Sequence, residues 1–161
     1  MEFEKKPAAN YLVRDEIEKV RKDKGIPPER FGEFAKSGWK DIITKFCYTF
    51  LDMKKQRVST LAYSWLNFRV GLAHSEPVRC GADEYAYFSQ VRELIPQEDR
   101  DSKLFLILSE GWVYEGYADE IFLVLSEIFH LEDAYIVSPK FRWVICHCDD
   151  GECAVFSAVK D

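Results

Sequence analysis

Phe141-Arg142-Trp143-Val144-Ile145-Cys146-His147-Cys148, then Asp149-Asp150-Gly151-Glu152, then Cys153-Ala154-Val155-Phe156-Ser157-Ala158-Val159, is the stretch that decides the fold. Two runs rich in β-branched and aromatic residues flank an Asp-Gly, the strongest short-range signal of a β-hairpin. Upstream, Tyr135 to Val137 reads as a short strand and Ser138-Pro139-Lys140 as the turn after it. Short links favour antiparallel neighbours, so these three strands are expected side by side. On alternation, Phe141, Trp143 and Ile145 share a side, with Phe156 joining them across the hairpin. Leu104 to Leu108 is an apolar run of strand length, Glu110 to Gly116 a turn-rich connection, and Tyr117 to Leu131 an apolar helix. Asp119 and Glu120 stand in the first turn of that helix, where its dipole favours acids. The C-terminal order is therefore β-α-β-β-β.

Helical periods dominate the other half. Residues 1–9 read as a lead-in, and Asn10 as the cap of a helix carrying Leu12, Val13, Ile17 and Val20, ended by Gly25. Pro27 and Pro28 predict a short second helix with Phe31 and Phe34, broken at Ser37-Gly38. Trp39, Ile42, Ile43, Phe46, Cys47, Phe50 and Leu51 form one apolar helical stripe, with Lys40, Asp41 and Lys45 outside it. Val58 to Phe68 fits either a helix or a strand, and Gly71 to Gly81 reads as a loop. Asp83 caps a helix bearing Tyr85, Phe88, Val91 and Leu94, stopped at Pro96. The reading is an α+β fold in one domain, residues 1–161, with N-terminal helices packed on a small, mainly antiparallel C-terminal sheet.

Composition narrows the function classes. The 161 residues are 47% hydrophobic and 31% charged, with a formal net charge of -6. A core of this size needs no disulfide or metal staple. The negative balance opposes binding to nucleic-acid backbones or anionic membranes. Arg21, Lys22 and Lys24 are interleaved with Asp15, Glu16, Glu18 and Asp23, as on a solvated helix face. The opening Met1 to Lys6 lacks the apolar stretch of a secretory signal, and no run is long enough to span a bilayer, so a cytoplasmic location is expected. Five cysteines, an odd number, are then expected as free thiols.

The chemistry-bearing candidates are few. Cys146, Cys148 and Cys153 have the spacing C-x-C-x4-C. With Asp150-Gly151 at the turn, Cys148 faces Cys153 and all three sulfurs share one side, which makes them candidate zinc ligands and puts a Cys148–Cys153 disulfide within geometric reach. The spacing lacks the C-x2-C knuckle, and His147 points to the opposite face, so three small half-buried residues on a sheet is the favoured reading. No cofactor is expected. His74 or His147 could pair with Cys80 or Cys148 as base and nucleophile, and His130 suits a helix C-terminus. No G-x-S-x-G, H-E-x-x-H or phosphate-cradling glycine loop is present. Glu110, Glu115, Asp119 and Glu120 surround Trp112, Tyr114 and Tyr117. An acidic, aromatic loop suits a basic protein partner, which makes Trp112, Tyr114, Glu115 and Tyr117 the candidate binding residues. The competing reading folds Trp112 and Tyr114 back onto the core.

The run Trp112-Val113-Tyr114-Glu115-Gly116, the helix after it, Ala134-Tyr135-Ile136-Val137-Ser138, and Phe141-Arg142-Trp143-Val144-Ile145-Cys146 resemble a family of small uncharacterised bacterial proteins. The resemblance covers about the last 60 residues and brings no activity. By analogy, other small acidic α+β proteins serve as immunity proteins that neutralise toxins. Function is thus open among three classes. The first is a non-enzymatic interaction protein, of immunity type, for a basic partner; the others are a small-ligand binder or enzyme with an unfamiliar pocket, and a zinc domain on the cysteine hairpin.

Overall fold

The computed structural model describes residues 13–34, 37–56, 61, 64–128, 133–148 and 153–160. Its elements are α1 (Val13–Lys24), β1 (Phe31–Glu33), α2 (Trp39–Phe50), β2 (Ala73–His74), β3 (Val78–Arg79), α3 (Glu84–Glu93), β4 (Leu104–Leu108), β5 (Val113–Gly116), α4 (Ala118–Glu127), β6 (Ala134–Val137), β7 (Trp143–Cys148) and β8 (Cys153–Ala158). The α+β reading, with helices early and an antiparallel sheet late, is borne out. All eight strands join one sheet in the order β1-β5-β4-β6-β7-β8-β2, with β3 also on β8. Every pairing is antiparallel. The hairpin register sets Ile145 against Phe156 and Cys148 against Cys153, as the Asp-Gly position requires. The turn itself, the Asn10 cap, His130 and most of Val58 to Tyr63 lie outside the described residues.

The sheet is buried on both faces, which is why Leu104–Leu108 and Ala134–Val137 are apolar without alternation. One face carries α1, α3 and α4 over Leu106, Tyr114, Ile136 and Ile145. The other carries α2 over Ile107, Tyr135, Val144 and Cys146. The N-terminal helices do not all pack on one face of the sheet; α1 and α2 lie on opposite sides. The α2 stripe is sealed: Ile43, Phe46, Cys47 and Phe50 are all fully buried, and each large apolar side chain so buried contributes roughly 1.5–3 kcal/mol.

Local chemistry explains the boundaries. Gly25, at φ 64, lets α1 close with Ile26 N donating to Arg21 O at 2.9 Å. Asp83 caps α3 as predicted, its carboxylate accepting from Tyr85 N and Ala86 N.

Four sequence expectations are corrected. Phe31 and Phe34 do not lie on a helix. Arg30 N and Phe31 N donate to Pro27 O in a tight turn, and β1 then pairs with β5. Glu110 to Gly116 is not a plain connection, because Val113–Gly116 is a strand between β1 and β4. Gly71 to Gly81 holds two short strands that cover the edge of β8, with Ser75 N donating to Phe156 O at 2.9 Å between them. Phe141 does not share a side with Trp143 and Ile145. Its φ of 56 is left-handed, Ser138 Oγ accepts from Arg142 N and Trp143 N, and the turn swings the ring to the α2 face.

Candidate functional site

The structure separates the four candidate binding residues. Trp112 follows the β4–β5 turn, where Gly111 N donates to Leu108 O and Leu108 N to Trp112 O. Its ring is half-buried, with the Arg14 guanidinium 5.4 Å from the centroid. Tyr114, two residues on, is fully buried beneath Phe31, the rings stacked at 5.1 Å, and donates its hydroxyl to Glu18 at 3.1 Å. Burial first, then the Glu18 charge, pushes that phenol's pKa upward, so it stays a protonated donor. Glu115 points to the other face, 3.7 Å from Lys103 Nζ. Tyr117 precedes α4 under the Arg30 guanidinium, 4.1 Å away. Arg30 in turn grips Glu120 through two bonds of 2.6 and 3.0 Å, which raise its pKa. Asp119 pairs with Arg92. Most carboxylates of this segment are thus matched by cations of the same chain, and only Trp112 and Glu110 stand together at the turn.

The cysteines sit as alternation requires. Cys146 and Cys148 turn to the α2 face with their sulfurs 3.5 Å apart, and Cys153 packs on the same side. His147 faces the other way, its Nδ1 2.7 Å from the Tyr87 hydroxyl. Burial above all holds the Cys146 thiol well above its ordinary pKa, so it is no thiolate nucleophile near neutral pH. Among the described residues no three His, Cys, Asp or Glu side chains come together closely enough to hold a metal ion.

Above these thiols lies a cleft of about 300 Å³, lined by Trp65, Leu66, Phe68, His74 and Val155. The β2–β8 pairing brings His74 there, with its Nδ1 2.8 Å from Ser157 Oγ and its ring beside Phe68. His74 and Cys148 line one cleft, and its mostly apolar walls of Trp65, Leu66, Phe68 and Val155 suit an apolar body. Sequence reasoning misses the cleft because its walls come from residues 65–74 and 146–155, joined by a strand of two residues that has no visible period.

Strand register also sorts charge. Leu108 opposes Ala134, Ala134 opposes His147, and Cys148 opposes Cys153, so these residues mark one end of the sheet. Glu110 and Asp133 flank those strand ends, and Arg79 opposite Cys153 leads through Cys80 to Asp83 and Glu84. Arg79 stands among them, and Arg14, paired with Glu33, lies over Trp112 at the same end. The other end, where β4 and β7 begin and β8 finishes, gathers Lys103, Lys140, Arg142 and Lys160, with Glu98, Asp99, Asp101 and the Lys103-paired Glu115 among its acids. No helix among the described residues is long and apolar enough to cross a membrane.

No curated protein and no solved structure matches the chain. A family model does, over nearly its whole length, and that family carries the description "Family of unknown function". From the match over residues 9–161, the chain belongs to this family of unknown function, DUF6756.

Proposed function

We propose that this chain is a non-enzymatic interaction domain of the bacterial cytoplasm that binds a basic protein partner, in the manner of an immunity protein. The observation that carries the reading is the placement of Asp83, Glu84 and Glu110, all at least partly exposed, at the β7–β8 end of the sheet. In a chain of net charge -6, that end attracts a cationic surface and speeds the encounter. Trp112, at the same end, is the aromatic anchor, and Tyr114 holds β5 from beneath. Glu115 and Tyr117 lie toward the other end and are not assigned to this surface. The sheet edges are poor docking sites, since β1 is only three residues long and β8 is covered by β2 and β3.

The test is a tagged pull-down from the source cells at low salt, with mass spectrometry. A stoichiometric basic protein released by salt supports the reading; a partner that stays bound at high salt counts heavily against it. A second reading, small-ligand binding, rests on the 300 Å³ cleft beside His74, whose Nε2 has no hydrogen-bond partner among the described residues. An unshifted Trp65 indole signal in a titration with indole would end it.

A further inference from the structure

Arginine pairing sets one groove apart. Arg14, Arg21, Arg30, Arg92 and Arg100 each hold a carboxylate of the chain. Among the described residues Arg69, Arg79 and Arg142 hold none, although the chain carries 28 acids. Arg69 and Arg142 line the same groove, of about 470 Å³, at the lysine-rich end of the sheet. Trp143, Phe156 and Val159 contribute its apolar wall. Arg69 Nε donates to Thr49 O at 2.6 Å, which orients the guanidinium and leaves its terminal nitrogens for another acceptor. Arg142 is exposed, and Lys45 Nζ, outside the lining, lies 4.8 Å from the ring of Phe141, which lines the groove. One carboxylate, Glu98, also lines the groove. Neighbouring Asp99 already accepts from Trp143 Nε1 at 2.7 Å.

Two planar cations without a carboxylate, over an apolar wall, match an oxyanion attached to a hydrophobic body. We infer that this groove binds a small organic anion, its carboxylate or phosphate on Arg69 and Arg142 and its aromatic or aliphatic part against Trp143 and Phe156. The inference stands apart from the acidic surface proposed above, which lies at the other end of the sheet.

The experiment titrates the isotope-labelled full chain with phenyl phosphate, benzoate, inorganic phosphate and benzyl alcohol, following amide signals. Saturable shifts at residues 141–143 and 156–159 are expected with phenyl phosphate or benzoate, and whichever binds tighter identifies the oxyanion. Benzyl alcohol and inorganic phosphate, each lacking half of the recognition, are expected to bind about tenfold more weakly or worse. Arg142→Ala is expected to weaken phenyl phosphate by about tenfold without moving the unfolding midpoint, because its side chain is exposed. No saturable shift with either organic anion overturns the inference, as does equal binding by benzyl alcohol or by Arg142→Ala.

Discussion

The thiol of Cys47 lies sealed between α2 and the sheet, and burial pushes its pKa up to about 12 from 9.0. In the unfolded chain it ionises near 9, while in the folded chain it stays neutral. Its contribution is therefore complete below pH 9 and is lost as pH rises toward 12. Stability should fall over that window by about 1.4 kcal/mol per pH unit from this group. Urea melts of the native chain and of Cys47→Val at pH 8 and pH 10 check this; equal alkaline slopes would refute it. Cys47 and the Cys146–Cys148 pair were legible from the sequence, because helical and strand periods fix which way each residue points. Tyr114 was harder to place. Its neighbours Gly111, Trp112 and Gly116 signal a loop, while the residue itself is a central strand position under Phe31.

Gly116 shows at the scale of elements why β1 and β5 escaped the sequence. A glycine ending a segment reads as punctuation, yet here it is the place where β1 crosses close over β5. A Cβ on it would meet Phe31 Cδ2 at 2.7 Å, Arg30 O at 2.8 Å and Phe31 Cα at 2.9 Å. Since two of these atoms are backbone, Gly116→Ala must push β1 away, and a loss of about 2 kcal/mol or more is expected by chemical denaturation. A loss under about 0.5 kcal/mol, the range of an ordinary surface change, would show that β1 is not held as described. The long periodic elements were legible: α2, the Asp83-capped α3, β4 and the β7–β8 hairpin. The three strands of two or three residues, β1, β2 and β3, were not, because no period can appear in so short a run. Pro27-Pro28 mimicked a helix start, whereas Phe31 is held by its pairing with Gly116 and its stacking on Tyr114.

At the scale of the whole molecule, two helical layers enclose one antiparallel sheet, and the sheet's two ends differ in charge. Net charge was legible from composition, but its placement was not, since Glu110 and Asp83 come to the same end of the sheet only through the register of β4, β6, β7, β8 and β3. The same register places Arg142 and Lys103 at the opposite end and so separates the proposed partner surface from the anion groove. The most direct test compares capture of the co-purifying basic partner by the native chain and by Glu84→Lys/Glu110→Lys, across a salt series. Glu84 and Glu110 are both at least partly exposed, so the fold should tolerate the change, and the unfolding midpoint verifies this. The account predicts association at least tenfold weaker and a shallower salt dependence in the double variant. Unchanged affinity and an unchanged salt slope would contradict it.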